Sequence, residues 1–350
     1  MREKNKVWDQ LPEIPLNKRP QILLTGNGLN RPFETTQKKV DTDRILRAAW
    51  VRSYERFLPC RDAEPRDEFW KLSLPQQVVV ATKDKVQSCM NELTETLKWM
   101  TVPDEQAALI KKILDTGFDA ILTTNYSLEF EKTAIPNYSE HRTHRRYRTM
   151  KKQSSVENQF GLFQCTQLPY GNDPYLWHIH GTALRKNSLV MGQLYYGKLL
   201  AQVVARANEV NAAYRAAETA GKGFFPKSWI DLFLVGDVHI FGFGLDLSEI
   251  DLWWLLSYKH SAFPKSKVYF YTADASSIPK EKRLLLDCYD VVIQEIEVDT
   301  ESDGLTDSLP QCYHTGIPAF ARQKKRKSDS KYVRFYEQTC VKIRVIIEDL

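Results

Sequence analysis

The stretch that decides the fold is PQILLTGNGLN, Pro20 to Asn30. Its first half is a β-prone apolar run typical of a buried strand, and its second half is a turn that contains Gly26 and Gly28. Glycine tolerates positive φ and has no Cβ, so backbone N–H groups in such a turn can approach a phosphate closely. The pattern predicts a strand followed by a phosphate-binding turn, and a plain strand-to-helix turn explains the same residues equally well.

Other short apolar runs also end in polar or glycine-rich turns, with helical patterns between them. DAILTTN predicts a strand that delivers Thr124 and Asn125 to a loop, and YLWHIHG predicts one that ends near His180. DVHIFGFG leads into a second glycine turn, while KVYFYTAD and DVVIQEIEV predict two further strands. This alternation favours an α/β fold, a doubly wound, mainly parallel Rossmann-like sheet in which ligands bind beyond the carboxyl ends of the strands.

The chain is predicted to be a single domain over residues 1–350. Within it, a mostly helical insertion is expected at 34–116, from the patterns DRILRAAWVRSYERF, KDKVQSCMNELTETLKWM and DEQAALIKKILDTG. Residues 299–350 are expected to be a C-terminal extension, with the basic segment 322–331 as a loop. Ser248 and Asp251 resemble a capping box, which predicts that a helix starts near Ser248.

Composition limits the function classes. Apolar residues make up 43% of the chain and charged residues 27%, which is typical of a globular protein, and a net charge of +5 over 350 residues does not imply nucleic-acid binding. The six cysteines form no C-x-x-C pair, which argues against a zinc ribbon and a disulfide framework. No signal peptide or membrane span is evident, so we expect a cytoplasmic protein without a membrane partner.

Two histidines stand two positions apart in PYLWHIHGTA, Pro174 to Ala183. In an extended segment His178 and His180 point to the same face, but no H-E-x-x-H motif or cysteine set supplies the further ligands of a metal site. A core histidine bonded to a carbonyl group explains His178 as well as a functional role does. Gly181 lets the chain turn away, so His180 is predicted to face a cleft and act as a general base.

Asn125 and the basic run at 141–152 each allow two interpretations. The Asn125 carboxamide could hold a sugar hydroxyl and a water together, although an Asx turn accounts for it more simply when it is taken alone. The run HRTHRRYRTMKK contains a single aromatic residue, which is more typical of a solvated or subunit-contact loop than of a nucleic-acid site.

Four motifs, TGNGLN, TTNYS, HIHG and FGFGLDLSEID, follow one another along the chain. Together they resemble the ordered motifs of the sirtuin-like superfamily, most closely its bacterial branch that cleaves NAD in antiphage defence. The resemblance covers about Gln21 to Val298. It implies that Asn125 lies at the nicotinamide ribose and that His180 is the general base. The NAD-binding residues that it implies are Gly26, Asn27, Gly28, Asn30, Thr124, Gly242, Phe243, Gly244 and Asp246.

The resemblance implies an NAD hydrolase that needs no metal and releases nicotinamide and ADP-ribose, depleting NAD in antiviral (abortive infection) defence. Such an activity has to stay off until it is triggered, and the residues after the last strand are too few for a separate sensor domain. We therefore expect a homo-oligomer that is activated by a partner protein or a phage component. Replacing Asn125 or His180 by alanine is expected to abolish NAD loss and leave the fold intact.

Two departures from the family pattern keep other functions open. No four-cysteine zinc ribbon can form, which points away from protein deacylation, so a zinc-less deacylase is only an alternative. Ser127 stands where sirtuins place an aspartate, which favours a second alternative, a non-catalytic module that binds NAD or ADP-ribose. A nucleic-acid-binding protein is the last of the hypotheses.

Overall fold

The computed structural model describes residues 11–33, 72–82, 86–98, 101–138, 147–149, 160–298 and 328–348. The strands within these residues are β1 (Gln21–Thr25), β2 (Ala120–Thr123), β3 (Tyr147–Thr149), β4 (Gln164–Gln167), β5 (Tyr175–His178), β6 (Asp237–Ile240), β7 (Val268–Thr272) and β8 (Val291–Glu295). The helices are α1 (Leu74–Thr82), α2 (Val86–Lys98), α3 (Asp104–Leu114), α4 (Glu129–Ala134), α5 (Gln193–Ala220), α6 (Trp229–Val235), α7 (Ile250–Ala262), α8 (Lys280–Cys288) and α9 (Ser328–Glu348).

The strands form one eight-stranded sheet in the order β3-β4-β5-β2-β1-β6-β7-β8. Every pairing from β5 to β8 is parallel, whereas β4 is antiparallel to β5 and β3 is antiparallel to β4. The predicted α/β fold with a mainly parallel sheet is confirmed. The antiparallel edge was not predicted, because QCTQ of β4 is too short and too polar to read as a strand in isolation.

Helices cover both faces of the sheet, which is why the residues of its central strands are buried and mostly apolar. All five residues of β1 are buried. Ile22 and Leu24 belong to the core that α5, α6 and α7 cover, and Leu23 belongs to the core on the other face, under α3, α4 and α9. Neighbouring residues of a strand point to opposite faces, so a strand buried on both sides reads as a continuous apolar run.

The order of the strands reverses between β1 and β6. The chain passes outward from β1 through β2 to β5 on one side, and from β6 through β7 to β8 on the other. In open α/β sheets a crevice forms beyond the carboxyl ends of the two strands that flank such a reversal. The two glycine turns directly follow β1 and β6, so both lie at this crevice.

Three local predictions meet the structure differently. The helix predicted in DRILRAAWVRSYERF lies outside the described residues, as does most of 141–152, of which Tyr147–Thr149 forms β3. The loop predicted at 322–331 is wrong for Ser328 to Lys331, since these residues begin α9. That helix packs against α3 through Phe335 and Ile343, an apolar pattern that the preceding basic run obscured.

The capping box predicted at Ser248 and Asp251 is also wrong. Helix α7 begins at Ile250, and the Ser248 hydroxyl donates to Asp246 Oδ1 over 2.7 Å. The Asp251 carboxylate instead lies against His180. Asp251 therefore forms a long-range ionic contact with His180 instead of capping the helix.

None of the described helices combines the length and the apolar content needed to cross a bilayer. Among the described residues, Cys89, Cys165, Cys288 and Cys340 form no disulfide with one another.

Candidate functional site

The two glycine turns touch each other through their backbones. Gly26 N donates to Gly242 O over 3.2 Å. A Cβ on Gly28 would lie 2.6 Å from the same carbonyl oxygen, which is closer than packed atoms can approach. Gly242 itself has a φ of +64°, a conformation that favours glycine. The glycines therefore allow the two turns to pack together at the crevice between β1 and β6.

The Thr124 loop joins this contact. A Cβ on Gly26 would lie 2.6 Å both from Thr124 Oγ1 and from the Phe243 ring, and Thr124 N donates to Thr25 O over 3.0 Å. Three of the four sequence motifs thus meet here. The N–H of Gly26 is already bonded to Gly242 O. The absence of a Cβ at Gly26 and Gly28 therefore serves the packing of the two turns as well as the approach of a ligand.

Asn27 and Asn30 form a polar layer above the first turn. Asn30 Nδ2 donates to Asn27 Oδ1 over 3.0 Å, and Gln106 Nε2 of α3 donates to Asn30 Oδ1 over 2.6 Å. Tyr336 of α9 donates its hydroxyl hydrogen to Gly28 O. Helices from the predicted insertion and from the predicted C-terminal extension thus support the first glycine turn.

Asn125 is buried, and helix α4 fixes its orientation. Its Nδ2 donates to Glu129 Oε1 over 2.6 Å, a short charge-assisted bond. Its main-chain oxygen lies 2.7 Å from His178 Nδ1, and His178 Nε2 lies 2.9 Å from Glu131 Oε1. The two carboxylates of α4 therefore hold Asn125, one directly and the other through His178. With Nδ2 engaged, Oδ1 is the atom of this amide that is left to accept a hydrogen bond.

A small polar pocket opens beside the Asn125 loop. It has room for about one water molecule, and the space around it, open solvent included, is about 250 Å³. Three buried polar atoms in its lining, Gln106 Oε1, Ser127 Oγ and Glu129 Oε2, have no hydrogen-bond partner of good geometry among the described residues. Buried acceptors are normally paired, so a ligand that brings hydrogen-bond donors or positive charge would suit this pocket. The pocket is lined by Asn30, Thr101, Val102, Gln106, Ser127, Leu128, Glu129 and Lys132.

His180 is enclosed rather than open to a cleft. Its side chain is 3% exposed, with Nε2 lying 3.0 Å from Asp251 Oδ2 and Nδ1 lying 3.7 Å from Glu249 Oε2. Tyr196 packs edge-on against the ring and donates its hydroxyl hydrogen to Glu249. Gly181 has the positive φ that the predicted turn requires, and a Cβ there would overlap the Ser188 carbonyl.

Charge and burial act in opposite directions on this cluster. Burial lowers the pKa of His180, but the negative charges of Asp251 and Glu249 outweigh it, so the pKa lies above the usual histidine range. Burial raises the pKa of Glu249. The ring therefore favours its protonated form, and it can accept a proton only at a pH above the usual range.

The expectation that His178 and His180 share one face is wrong. His178 contacts α4 through Glu131, whereas His180 contacts α5 and α7 through Tyr196 and Asp251. These helices belong to the cores on opposite faces of the sheet. The strand ends at His178, so the alternation that holds within a strand no longer applies two residues later.

No sequence motif supplies further metal ligands for the histidines, but the fold brings two carboxylates to His180. His180, Glu249 and Asp251 each offer a ligand atom within 4.8 Å of the others, so these side chains could hold a metal ion. However, the two ring nitrogens face different carboxylates. This suits an imidazolium between two carboxylates better than a ring that coordinates an ion through one nitrogen.

The second glycine turn is anchored from both sides. Trp253 Nε1 donates to Asp246 O over 2.9 Å, and Lys282 of α8 donates to Gly244 O. Phe243 contacts the first turn, as described above, while Gly244 and Asp246 are exposed. The predicted residues of this turn thus line the open side of the crevice.

The predicted site residues form two groups. The glycine turns meet with Thr124 and Phe243, and the polar layer of Asn30 reaches the pocket that Glu129 lines, where Glu129 accepts from Asn125. His180 forms a separate cluster with Glu249 and Asp251, and no hydrogen bond joins it to Asn125 within the described residues. Sequence reasoning missed the carboxylates, although they stand inside or directly after the motifs, in TTNYSLEFE and FGFGLDLSEID.

Comparison with known proteins adds no family assignment. Neither protein-family models nor curated proteins show a significant match to this chain. The sirtuin-like resemblance therefore rests on the four sequence motifs.

Proposed function

We propose that the protein is an NAD⁺ hydrolase that cleaves the bond between nicotinamide and ribose. The observation that carries the proposal is the polar pocket beside Asn125, next to two glycine turns that meet where the strand order reverses. Dinucleotides bind at such a reversal in Rossmann-like folds, and a Rossmann-like binding mode is part of the proposal.

The chemistry of the pocket suits the nicotinamide end of NAD. The carboxamide of nicotinamide carries two N–H hydrogens, which match the unpartnered acceptors Gln106 Oε1 and Glu129 Oε2. Val102 and Leu128 provide an apolar wall for a flat ring, and the pocket, which now has room for about one water molecule, has to widen to admit the ring. In this proposal the exposed glycine turns hold the diphosphate and the adenosine, along the crevice.

Hydrolysis requires a positively charged leaving group to depart. The bond from C1′ to the ring nitrogen breaks, and its electron pair leaves with nicotinamide and neutralises the ring. The oxygen of a water molecule bonds to C1′, and one of its protons passes to a base or to solvent. Asn125 Oδ1 accepts from a ribose hydroxyl or from this water, and His180 is the base at a pH where its ring is neutral.

The biological role is proposed on the resemblance alone. NAD depletion in antiviral defence requires control, and a homo-oligomer with an activating partner protein or phage component is part of the proposal. We propose a cytoplasmic location for the same reason.

The test is product analysis with NAD as the sole nucleotide. The full chain is incubated with and without candidate activators at several protein concentrations, and nicotinamide and ADP-ribose are separated and quantified. We expect the two products in equal amounts. Asn125→Ala should lower the rate by ~10²–10³-fold, as the loss of an electrostatic contact to the transition state does.

The controls match each substitution in chemistry but lie away from the pocket. Asn172→Ala removes an exposed asparagine that bonds the Gly117 and Phe118 carbonyls, and His260→Ala removes a half-exposed histidine paired with Asp290. Both should turn over NAD at the wild-type rate. Intact NAD under every condition, or wild-type turnover by Asn125→Ala, would contradict the proposal.

A second candidate is a non-catalytic module that binds NAD or ADP-ribose. The enclosure of His180 by Asp251, Glu249 and Tyr196 favours it, because a protonated ring without access to a ligand cannot serve as a base. Calorimetry with NAD discriminates the two: affinity without nicotinamide release supports the binding module.

A further inference from the structure

Glu129 differs from the other buried carboxylates around the site in having no ion pair. The residue is 4% exposed. Glu131 and Asp251 each pair with a histidine, whereas the structure gives Glu129 no ion pair within its described part. Burial raises the pKa of Glu129, and hydrogen bonds from Ser127 and Asn125 and the charge of His178, which lies beyond ion-pair distance, offset this only in part. A buried carboxylate without an ion pair is costly, and a positively charged ligand would reduce that cost.

The two carboxylate oxygens of Glu129 differ in their hydrogen bonds. Oε1 accepts from Asn125 Nδ2 over 2.6 Å, which turns the amide so that its oxygen is left for a ligand. Oε2 has no partner of good geometry among the described residues, and Glu129 lines the pocket. Burial raises the pKa of Glu129, and a bound cation would oppose that shift.

The lysine of the pocket lining does not fill this role. Lys132 Nζ donates to Lys98 O over 2.8 Å and lies 5.9 Å from the centre of the Tyr138 ring. Its ammonium thus binds a main-chain carbonyl of α2 and forms no ion pair with Glu129 among the described residues. The remaining lining residues are neutral.

We infer that Glu129 is a further catalytic residue, which contacts the cationic N-glycosyl part of the substrate through its free oxygen Oε2 and orients Asn125 through Oε1. This inference rests on the proposed NAD hydrolysis. During the reaction the positive charge moves from the pyridinium ring to the ribosyl group as the C1′–N bond breaks, and the carboxylate remains its counterion throughout. The site therefore selects nucleotides whose leaving group carries a positive charge.

The test compares two probes that differ in charge. N1-methylnicotinamide is a permanent cation, and nicotinamide has the same ring and carboxamide without the charge. Their dissociation constants are measured by calorimetry or ligand-observed NMR with wild type, Glu129→Gln and the control Glu209→Gln. The control removes an exposed carboxylate of α5 that pairs with Arg206 and does not line the pocket. Thermal melting of each variant, and Glu129→Asp as a second substitution, verify folding and the need for charge.

We expect wild type to bind the cation about tenfold more tightly than nicotinamide, a difference of ~1.4 kcal/mol. Glu129→Gln should lose this preference, and Glu209→Gln and Glu129→Asp should keep most of it. Equal binding of the two probes to wild type, no binding of either, or an undiminished preference in folded Glu129→Gln would overturn the inference.

Turnover separates this inference from the proposed function. If wild type hydrolyses NAD, Glu129→Gln should lower kcat by ~10²-fold or more, and an unchanged kcat overturns the inference while hydrolysis stands. If wild type shows the cation preference and leaves NAD intact under every condition, hydrolysis fails, whereas the contact between Glu129 and a cationic ligand is supported.

Discussion

Substituting Gly28 by alanine tests the contact between the two glycine turns. The added Cβ would lie 2.6 Å from Gly242 O and 2.7 Å from its carbonyl carbon, both of them backbone atoms that cannot rotate away. Ordinary contacts of this kind begin near 3.4 Å, so the turns must separate by about 0.8 Å. The Gly26 N–H bond to the same oxygen, now 3.2 Å long, would then be broken.

These effects give a magnitude for the loss of stability. Overpacking costs ~1–3 kcal/mol, and a lost hydrogen bond adds ~1 kcal/mol. Replacing glycine also restricts the unfolded chain, which returns ~0.4–1 kcal/mol. We expect Gly28→Ala to lower the free energy of unfolding by roughly 2–3 kcal/mol, a large part of the stability of a typical domain.

The assay is urea denaturation, with Gly197→Ala as the control. Gly197 lies on the exposed side of α5, and a Cβ there meets nothing within 4 Å. The control should therefore gain ~0.5–1 kcal/mol, because alanine is the better helix former. A Gly28→Ala variant that is as stable as wild type would refute the packing argument, and with it the claim that the two turns share one crevice.

Three further predictions concern titration and burial. His239 is bonded to Tyr271 and Gln21, and burial lowers its pKa to about 4, so stability should fall by ~3 kcal/mol as pH drops from 6.5 towards 4, where the unfolded chain binds the proton first. Acid denaturation of His239→Gln should lack this dependence, and an equal dependence would contradict the assignment. If His180 is the base, kcat/KM for NAD should rise with pH through its raised pKa, and a flat profile would argue against that role. Lys259→Met should cost ~3–5 kcal/mol in denaturation, since Lys259 Nζ binds three main-chain carbonyls near the end of α6, and a loss below 1 kcal/mol would contradict this.

The structure changes one experiment that the sequence suggests. His180→Ala was expected to leave the fold intact, but removal of the ring would leave Asp251 and Glu249 facing each other without a cation. Breaking such a buried ionic cluster costs ~3–5 kcal/mol. Loss of activity in His180→Ala therefore needs a stability measurement beside it. Asn125→Ala needs one as well, because it removes the donor to the buried Glu129 carboxylate at a cost of ~1–3 kcal/mol.

Much of the architecture could be predicted because it depends on local pattern. The apolar runs at Gln21–Thr25, Ala120–Thr123 and Val268–Thr272 are buried on both faces, and such runs stand out in a sequence. The short strand at Gln164–Gln167 and the helix at Ser328–Glu348 could not be found in this way. The strand is polar and the helix follows a basic run, so neither shows a clear apolar period. Both are stabilised by packing against residues far away in the chain.

The candidate site was predictable only in part, for the same reason. The turn at Gly181 follows from local chain geometry, and its positive φ agrees with the prediction. The partners of His180 cannot be predicted from local chain geometry. Asp251 lies 71 residues further along the chain and is brought near His180 by the packing of α7 on the sheet. The capping-box pattern predicted that Asp251 caps a helix, whereas in the structure Asp251 contacts His180.

Hydrophobic period and turn chemistry act over a few residues, and from them the sequence by itself determined a mainly parallel α/β sheet and the segments that end at its carboxyl edge. Only the tertiary structure decided which side chains at this edge keep a polar atom without a hydrogen-bond partner and which are enclosed. Burial and charge pairing act between residues far apart in the chain, and they leave Glu129 with an unpaired oxygen at a pocket while enclosing His180 between two carboxylates.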